Sequence, residues 1–174
     1  DIQADLVYAV NGYSNTYVDS VMWNILATDS QVTSVYASLY GVISQCNFLL
    51  DAVPDILKNL TDDDLADQLE QISGEAYFAR ALAYSELIKL YCNAYDSDEQ
   101  AKSELGIVIM SHYESDEPLT RASLYDSYQF VLSDLDKAAE KLKIPDDYDD
   151  VLYNTCYFNE YTVYALRARF ALYM

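Results

Sequence analysis

A run of regularly spaced apolar residues between positions 65 and 91 strongly limits the folds open to this chain. One set recurs at steps of three and four, namely Leu65, Leu69, Ile72, Ala76, Ala79, Ala83, Leu87 and Leu90. This spacing predicts a helix face turned inward. A neighbouring face carries a second set, Tyr77, Ala81, Tyr84, Ile88 and Tyr91. Such a helix needs partners on more than one side, which is typical of the central helix in stacked helical hairpins.

Composition favours the same fold class. Hydrophobic residues make up 52% of the 174-residue chain, which is ample for a packed core. Only four Gly and three Pro are present, too few for the many tight turns of an all-β fold. We therefore predict an all-α fold of tetratricopeptide-like stacked hairpins, in a single domain over residues 1–174.

Two further helices are predicted from the same periodicity. The first follows the apolar positions Val35, Leu39, Val42, Cys46, Leu49 and Val53, and we expect Pro54 to end it. The second follows Leu124, Tyr128, Val131, Leu135, Ala138 and Leu142. Ser123 is a natural N-cap for this second helix, because its hydroxyl can accept a hydrogen bond from a backbone amide of the first turn.

The remaining boundaries come from polar and acidic segments. A helix is expected within residues 1–27, and the polar residues 28–31 are predicted to cap the next one. Thr61 and the three aspartates after it predict a helix start with a capping hydroxyl and first-turn acids. Residues 92–105 are predicted to be a polar loop, and the last helix is expected at about 157–174.

Charge excludes one class of partner. Ten Lys and Arg against 29 Asp and Glu give a formal net charge of −19. A surface this negative is repelled by phosphate backbones and anionic lipids, so nucleic-acid binding is not expected. No apolar run approaches the ~20 residues of a membrane span. No basic-then-apolar signal peptide opens the chain.

The sequence offers no catalytic or metal-binding constellation. Cys46, Cys92 and Cys156 share no metal-ligand spacing and are expected to be buried thiols, while the single His112 has no nearby ligand cluster. Asp96 and Asp98 mimic the start of a calcium loop, but Gly and Glu are missing where that loop needs them. We predict no catalytic residue, no metal site and no cofactor.

The 18 tyrosines raise the question of ring stacking against a ligand. Eight of them lie on the predicted apolar helix faces, where packing in the core is the default: Tyr8, Tyr40, Tyr77, Tyr84, Tyr91, Tyr125, Tyr128 and Tyr173. The aromatic residues expected to be exposed are Tyr17, Trp23, Tyr95, Tyr113 and Tyr148. Of these, Trp23 together with Asn24 is the best candidate for a ligand-binding contact.

Five segments, in order, resemble the SusD/RagB nutrient-binding proteins of Bacteroidota. Residues 74–91, GEAYFARALAYSELIKLY, are similar to the hallmark helix of that family. The other similar segments are AVNGY at 9–13, LYGVISQCNFLL at 39–50, RAS and SDLDKA at 121–123 and 133–138, and ALRARFALYM at 165–174. GIVI at 106–109 is similar to a short extended element of the family, with Val108 in place of its proline.

The resemblance implies a function as well as a fold. It implies a non-catalytic lipoprotein, exposed at the surface of the outer membrane, that captures a nutrient, usually an oligosaccharide and sometimes a peptide. The ligand would be passed to a TonB-dependent, SusC-like transporter. The resemblance also implies that residues 1–174 are the N-terminal part of a longer protein whose export signal and lipid anchor lie upstream.

Two alternatives remain from the sequence. A helical-repeat module that binds a protein or peptide, without glycan capture, would show the same periodicity. A hydrolase using its carboxylates as acid and base is the least favoured, since abundant acids are not evidence of catalysis.

Overall fold

The computed structural model describes residues 24–114, 119–142 and 158–174. The chain divides into two compact units, residues 1–37 and 38–174, and only 24–37 of the first unit are described. Most of the helix predicted within residues 1–27 therefore lies outside the described residues. The assignment of residues 1–174 to one domain stays a prediction.

The described residues form five α-helices and two short strands. In chain order these are α1 (Ser30–Asn59), α2 (Asp63–Tyr91), α3 (Asp98–Ser103), β1 (Leu105–Val108), β2 (Arg121–Ser123), α4 (Leu124–Lys141) and α5 (Glu160–Ala171). The two strands pair antiparallel in a sheet of their own. The prediction of a mainly helical fold is confirmed, and the extended element predicted at 106–109 corresponds to β1.

In the first unit, the polar residues 28–31, predicted to cap a helix, mark its start: residues 28 and 29 precede α1, and residues 30 and 31 lie in its first turn. The Asp29 carboxylate accepts a hydrogen bond from the Leu26 backbone N–H at 2.9 Å. The Asp29 carbonyl accepts from the Thr33 N–H at 3.0 Å, one turn into α1. The first bond closes a turn before the helix, and the second is an i to i−4 hydrogen bond of its first turn.

In the second unit, α2 packs antiparallel against α4. Glu70 forms an ion pair with Lys141, and Arg80 forms one with Asp134, so residue numbers rise along α2 as they fall along α4. Gly74 marks the close approach, because an added Cβ would lie 2.8 Å from Leu142 Cγ. The glycine of the hallmark segment therefore allows the two helices to pack closely.

The neighbouring helix pairs are antiparallel too. On one side of α2, the rings of Tyr40 on α1 and Tyr84 lie edge to face at 6.3 Å. Against α4, Tyr128 stacks on Phe170 of α5 at 4.6 Å, and Arg167 pairs with Asp136. Successive helices thus form the hairpins that the periodicity predicts.

Burial in the core confirms the predicted apolar face of α4 fully and the predicted apolar faces of α2 in part. All six predicted apolar positions of α4 and its C-cap are buried: Leu124, Tyr128, Val131, Leu135, Ala138 and Leu142. On α2, the second predicted face is the more deeply buried, with Ala81, Tyr84 and Ile88 at most 2% exposed. The outer members of the first face, Leu65, Ile72 and Leu90, are about half exposed, because the packing of α2 is centred on the other face.

One predicted helix end, one predicted capping residue and one predicted loop are wrong. Pro54 lies inside α1, which continues to Asn59, because a proline removes one helix hydrogen bond without preventing the next turn. The cap of α2 is the Asp62 carboxylate, which accepts from two backbone amides, and not the Thr61 hydroxyl. The segment predicted as a loop at 92–105 contains α3, which begins at the capping hydroxyl of Ser97.

Other boundaries are close to the prediction. Ser123 caps α4 by accepting from the Asp126 N–H, as expected. The last helix, predicted at about 157–174, spans Glu160–Ala171 and is capped by Asn159 and Thr162. Among the helices described, none combines the length and the apolar character needed to cross a bilayer.

Candidate functional site

Many hydrogen bonds between residues far apart in the chain meet at an extended segment, residues 105–113, which includes β1. Its first half is held by β2 and α4. Arg121 donates from Nε to the Gly106 carbonyl at 2.6 Å and from Nη2 to the Leu105 carbonyl at 3.1 Å. Ser127 Oγ accepts from the Ile107 N–H at 3.1 Å. The lack of a side chain at Gly106 lets the backbone lie against α4.

Two tyrosine hydroxyls hold the middle of the extended segment. Tyr40 on α1 accepts from the Val108 N–H at 3.1 Å and donates to the Val108 carbonyl at 2.9 Å. Tyr84 on α2 does the same for Met110, at 2.8 and 3.0 Å. Each hydroxyl thus satisfies one donor and one acceptor of the backbone. Groups that would otherwise need a neighbouring strand or water are bonded to helix side chains.

A buried polar centre lies beneath the second half of the segment. Arg80, 3% exposed, makes a two-pronged ion pair with the fully buried Asp134 at 2.7 and 2.8 Å. Its Nη1 donates to Asn47 Oδ1 at 2.6 Å and to the Ser111 carbonyl at 3.3 Å. Asn47 in turn donates to the carbonyls of Met110 and His112. Three helices and the extended segment therefore share one hydrogen-bond network.

The charge of Arg80 is stabilised by its surroundings. Burial alone would lower its pKa, but the hydrogen bonds and the charge of Asp134 raise the pKa above its ordinary value. The guanidinium also lies 5.4 Å from the ring centroid of Tyr77 and 5.3 Å from that of Phe130. Arg80 stays charged and has its donors engaged inside the protein, so it serves as an anchor and not as a ligand contact.

At the surface end of the segment, an acid holds two consecutive residues. Asp51 on α1 accepts from the Tyr113 N–H at 2.8 Å through one carboxylate oxygen. The other oxygen lies 2.7 Å from His112 Nδ1. The Tyr113 ring meets the Phe48 ring at 5.2 Å with an interplanar angle of 72°. This end presents two aromatic rings, an imidazole and a carboxylate to solvent.

The pKa of Asp51 reflects those bonds. Its partial burial alone would raise the pKa, but the hydrogen bonds from Tyr113 and His112 outweigh that effect and lower it below the ordinary value. The carboxylate is therefore ionised at neutral pH and acts as an acceptor. A folded-state pKa below the unfolded value means that this bond stabilises the fold at neutral pH and is lost in acid.

Removing the Tyr84 hydroxyl should destabilise the protein locally. In Tyr84→Phe the Met110 amide and carbonyl lose their side-chain partner beside a fully buried ring. We expect a loss of about 1–3 kcal/mol in the free energy of unfolding, and faster hydrogen exchange at the Met110 amide. Urea unfolding and exchange monitored by NMR measure both. Tyr164→Phe, on an exposed tyrosine of α5, is the matched control, and unchanged Met110 exchange would contradict the prediction.

The Asp51 contacts should give the extended segment an acid-sensitive end. Because the folded-state pKa lies below the unfolded value of about 3.9, the contribution is complete above that pH and disappears as the pH falls through the folded-state pKa. We expect Asp51→Asn to be less stable than the parent at pH 7, with the difference shrinking below about pH 4. Unfolding free energies at a series of pH values check this. A difference that stays constant down to pH 2 would show that ionisation of Asp51 does not contribute.

The structure reaches only part of the predicted ligand contact. Trp23 lies outside the described residues, and Asn24 is exposed. Tyr113 is exposed as expected, whereas Tyr95 is half-buried against Tyr128, so that prediction is wrong. Tyr17 and Tyr148 lie outside the described residues. Trp23 and Asn24 stay a sequence prediction.

Three residues of this region were not predicted from the sequence to have these roles: Phe48, Asp51 and Arg80. Phe48 is adjacent to the predicted stripe of α1, and a large aromatic residue off the apolar face is the signal that marks it. Asp51 carries no comparable signal, because nothing local distinguishes it from the many other acids. Arg80 in an otherwise apolar run does indicate a buried partner, since an unpaired buried charge is too costly.

The other candidate groups are structural. Cys46 is buried as predicted, Cys92 is half-buried beside Arg121, and burial raises the pKa of both thiols. Cys156 lies outside the described residues. Asp98, part of the incomplete calcium-loop motif, accepts a hydrogen bond from the Tyr95 hydroxyl. Throughout residues 24–114, 119–142 and 158–174, no cluster of His, Cys, Asp and Glu is arranged to hold a metal ion.

Solved structures share this fold. A SusD superfamily protein from Bacteroides fragilis matches with a TM-score of 0.76 at 20% identity, over 98% of this chain and 38% of that one. A second, from Bacteroides thetaiotaomicron, matches at 0.70 and 23%, over 94% and 33%. A laminarin-binding SusD-like protein matches at 0.66 and 20%, over 94% and 32%. The chain thus spans about a third of the length of these structures.

The sequence itself also matches a family model. No curated protein sequence matches the chain. The SusD-like family model, described as starch-binding and associating with the outer membrane, matches residues 2–172. This range includes every motif residue of the polar network described above. The chain therefore belongs to the SusD-like family.

Proposed function

We propose that this protein is the glycan-binding component of a SusC/SusD-type uptake system. It binds an oligosaccharide at the cell surface and passes it to a TonB-dependent transporter in the outer membrane. The observation that carries the proposal is the family match over residues 2–172, whose description combines starch binding with association with the outer membrane. The likeness to a laminarin-binding protein supports glycans as the ligand class.

The proposed activity is binding without catalysis. The strongest polar centre described, Arg80 with Asp134 and Asn47, is buried and internally bonded. Such a centre stabilises the scaffold, whereas a general acid or base must reach the substrate. Attachment to the membrane would come from a lipid anchor upstream of residue 1, with the protein exposed at the outer surface.

For the ligand contact we propose Trp23 and Asn24, the residues singled out in the sequence. An indole ring offers a large face for the C–H groups of a sugar, and the neighbouring amide can bond its hydroxyls. Asn24 is exposed, as such a contact requires.

A glycan screen tests this function. We expect the purified protein to bind at least one neutral glycan in a panel that includes soluble starch and laminarin, and to show no hydrolysis products. Trp23→Ala should weaken that binding, while Tyr164→Ala, an exposed tyrosine of α5, should not. Unchanged binding by Trp23→Ala would remove Trp23 from the site and leave the function standing.

A second measurement separates the function from its alternative. The protein is expected to co-purify with a TonB-dependent transporter from outer membranes of its host. Binding to no glycan of the panel, together with tight binding to an unrelated protein, would overturn the proposal. That result would favour the helical-repeat module instead.

A further inference from the structure

Two aromatic rings lie side by side at the surface end of the extended segment. Phe48 is 59% exposed and Tyr113 is 43% exposed. Their ring centroids are 5.2 Å apart with planes at 72°, so the two rings form a corner. An exposed phenylalanine loses the benefit of burial, and a corner of two exposed rings offers apolar surface to a ligand.

The backbone beneath these rings is held by buried groups. Asp51 bonds the Tyr113 amide and His112 Nδ1, and Asn47, fully buried, donates to the His112 carbonyl. Arg80 donates to the Ser111 carbonyl from below. Three consecutive surface residues therefore have their backbone fixed before any ligand arrives. Pre-organisation of this kind lowers the entropy cost of binding.

Polar atoms that suit sugar hydroxyls lie beside the rings. The His112 side chain is 67% exposed. Its Nδ1 faces Asp51, and within the described residues its Nε2 makes no hydrogen bond, so that atom is open to a ligand. A ring corner next to an imidazole nitrogen matches a pyranose, which has an apolar C–H face and a polar hydroxyl rim.

Charge and size narrow the choice of occupant. Asp51 lies at the corner, the exposed Glu114 follows Tyr113, and the chain carries a formal net charge of −19. An anionic glycan would be repelled, whereas a neutral one would not. A protein partner needs about 800 Å² on each side, far more than two rings provide.

We infer that Phe48, Tyr113, His112 and Asp51, here named the aromatic corner, form a subsite that stacks one neutral pyranose ring of a bound glycan. The inference rests on the proposed function and adds a contact separate from Trp23 and Asn24. Phe48 and Tyr113 supply the stacking faces, His112 Nε2 bonds a hydroxyl, and Asp51 positions His112 and Tyr113.

The experiment compares variants that each remove one exposed ring. A neutral glycan bound by the parent protein, from the panel with soluble starch and laminarin, is titrated calorimetrically into Phe48→Ala, Tyr113→Ala and His112→Ala. Tyr161→Ala, which removes a 65% exposed ring on α5, is the control. We expect Phe48→Ala and Tyr113→Ala, the two ring variants, each to weaken glycan binding about tenfold, and the control to bind the glycan as the parent does. Circular dichroism verifies that the variants are folded.

A spectroscopic readout reports on the site directly. The aromatic ring resonances of Phe48 and Tyr113 should shift on addition of the neutral glycan, and should not shift with polygalacturonate, an anionic polymer. Parent-like binding by both ring variants, or unmoved resonances, would overturn the aromatic corner and leave the glycan-binding function intact. A parent protein that binds no neutral glycan would overturn both.

Discussion

Replacing Arg80 with Met is expected to lower the free energy of unfolding by about 3–5 kcal/mol. The substitution leaves the Asp134 carboxylate, which is 0% exposed, without its two-pronged partner. It also removes the N–H group that donates a hydrogen bond to Asn47 Oδ1. A buried charge without compensation is among the most destabilising features of a protein interior. Because domains are stable by only about 5–15 kcal/mol, such a loss is a large part of the total. Urea unfolding measures it.

A double substitution separates the lost ion pair from the altered packing. In Arg80→Met with Asp134→Leu, neither charge is buried, and replacing a whole buried pair with apolar residues is often close to neutral. We therefore expect the double variant to recover much of the stability lost in Arg80→Met. Equal destabilisation of the single and the double variant would show that the ion pair is not the cause. Lys137, whose ammonium lies 3.7 Å from Asp134, is too exposed to replace Arg80.

Replacing Gly106 with Ala is expected to cost about 3 kcal/mol or more. The new Cβ would lie 2.1 Å from Ser127 Oγ and 2.5 Å from the Ser123 carbonyl oxygen. Ser127 cannot turn away without breaking its bonds to the Ile107 amide and the Ser123 carbonyl. The extended segment must then move away from α4, which weakens its pairing with β2. The shift in the urea midpoint and the Ile107 amide exchange rate report the effect.

Gly41 provides the matched control. It lies within α1, and within the described part of the chain an added Cβ would meet no atom within 4 Å. Gly41→Ala should therefore stabilise the protein by about 0.5–1 kcal/mol, since alanine is the better helix former. If both glycine variants shift stability by the same amount and in the same direction, then steric contact at Gly106 is not what constrains the segment.

For helix α4, the sequence pattern alone predicts both the buried face and the capping residue. All six of its predicted apolar positions are buried, and Ser123 caps it as expected. Amphipathic spacing and a capping hydroxyl are local properties, so the sequence contains them in full. On α2, both faces were recognised but not their relative depth, because depth depends on which face the partner helices cover. The continuation of α1 past Pro54 is likewise decided by the surrounding structure.

In the folded chain, residues from three separate family-like motifs hold the same segment. Tyr40 and Asn47 come from one motif, Arg80 and Tyr84 from a second, and Asp134 from a third. In the folded chain these five residues belong to the networks that hold residues 105–113. The resemblance identified the motifs, whereas their shared task of holding one extended segment against three helices appears only when the helices are packed.

Only one part of the aromatic corner could be predicted from the sequence. Tyr113 was expected to be exposed, because it lies off the helical stripes. Phe48 and Asp51 are 65 and 62 residues away from it along the chain, and no local pattern links them. Their proximity results from the path of the extended segment, which Asn47 and Arg80 hold against α1 within one turn of Asp51.

The helical class, most helix boundaries and the family could be predicted from the sequence, because apolar spacing, capping residues and motifs are properties of residues close together in the chain. Which charged and polar residues meet depends on how the helices pack. Ion pairs and hydrogen bonds depend on distances of about 3 Å between residues far apart in the chain, and those distances exist only after the apolar faces have packed. The anchor at Arg80 and the exposed corner at Tyr113 are both products of that packing.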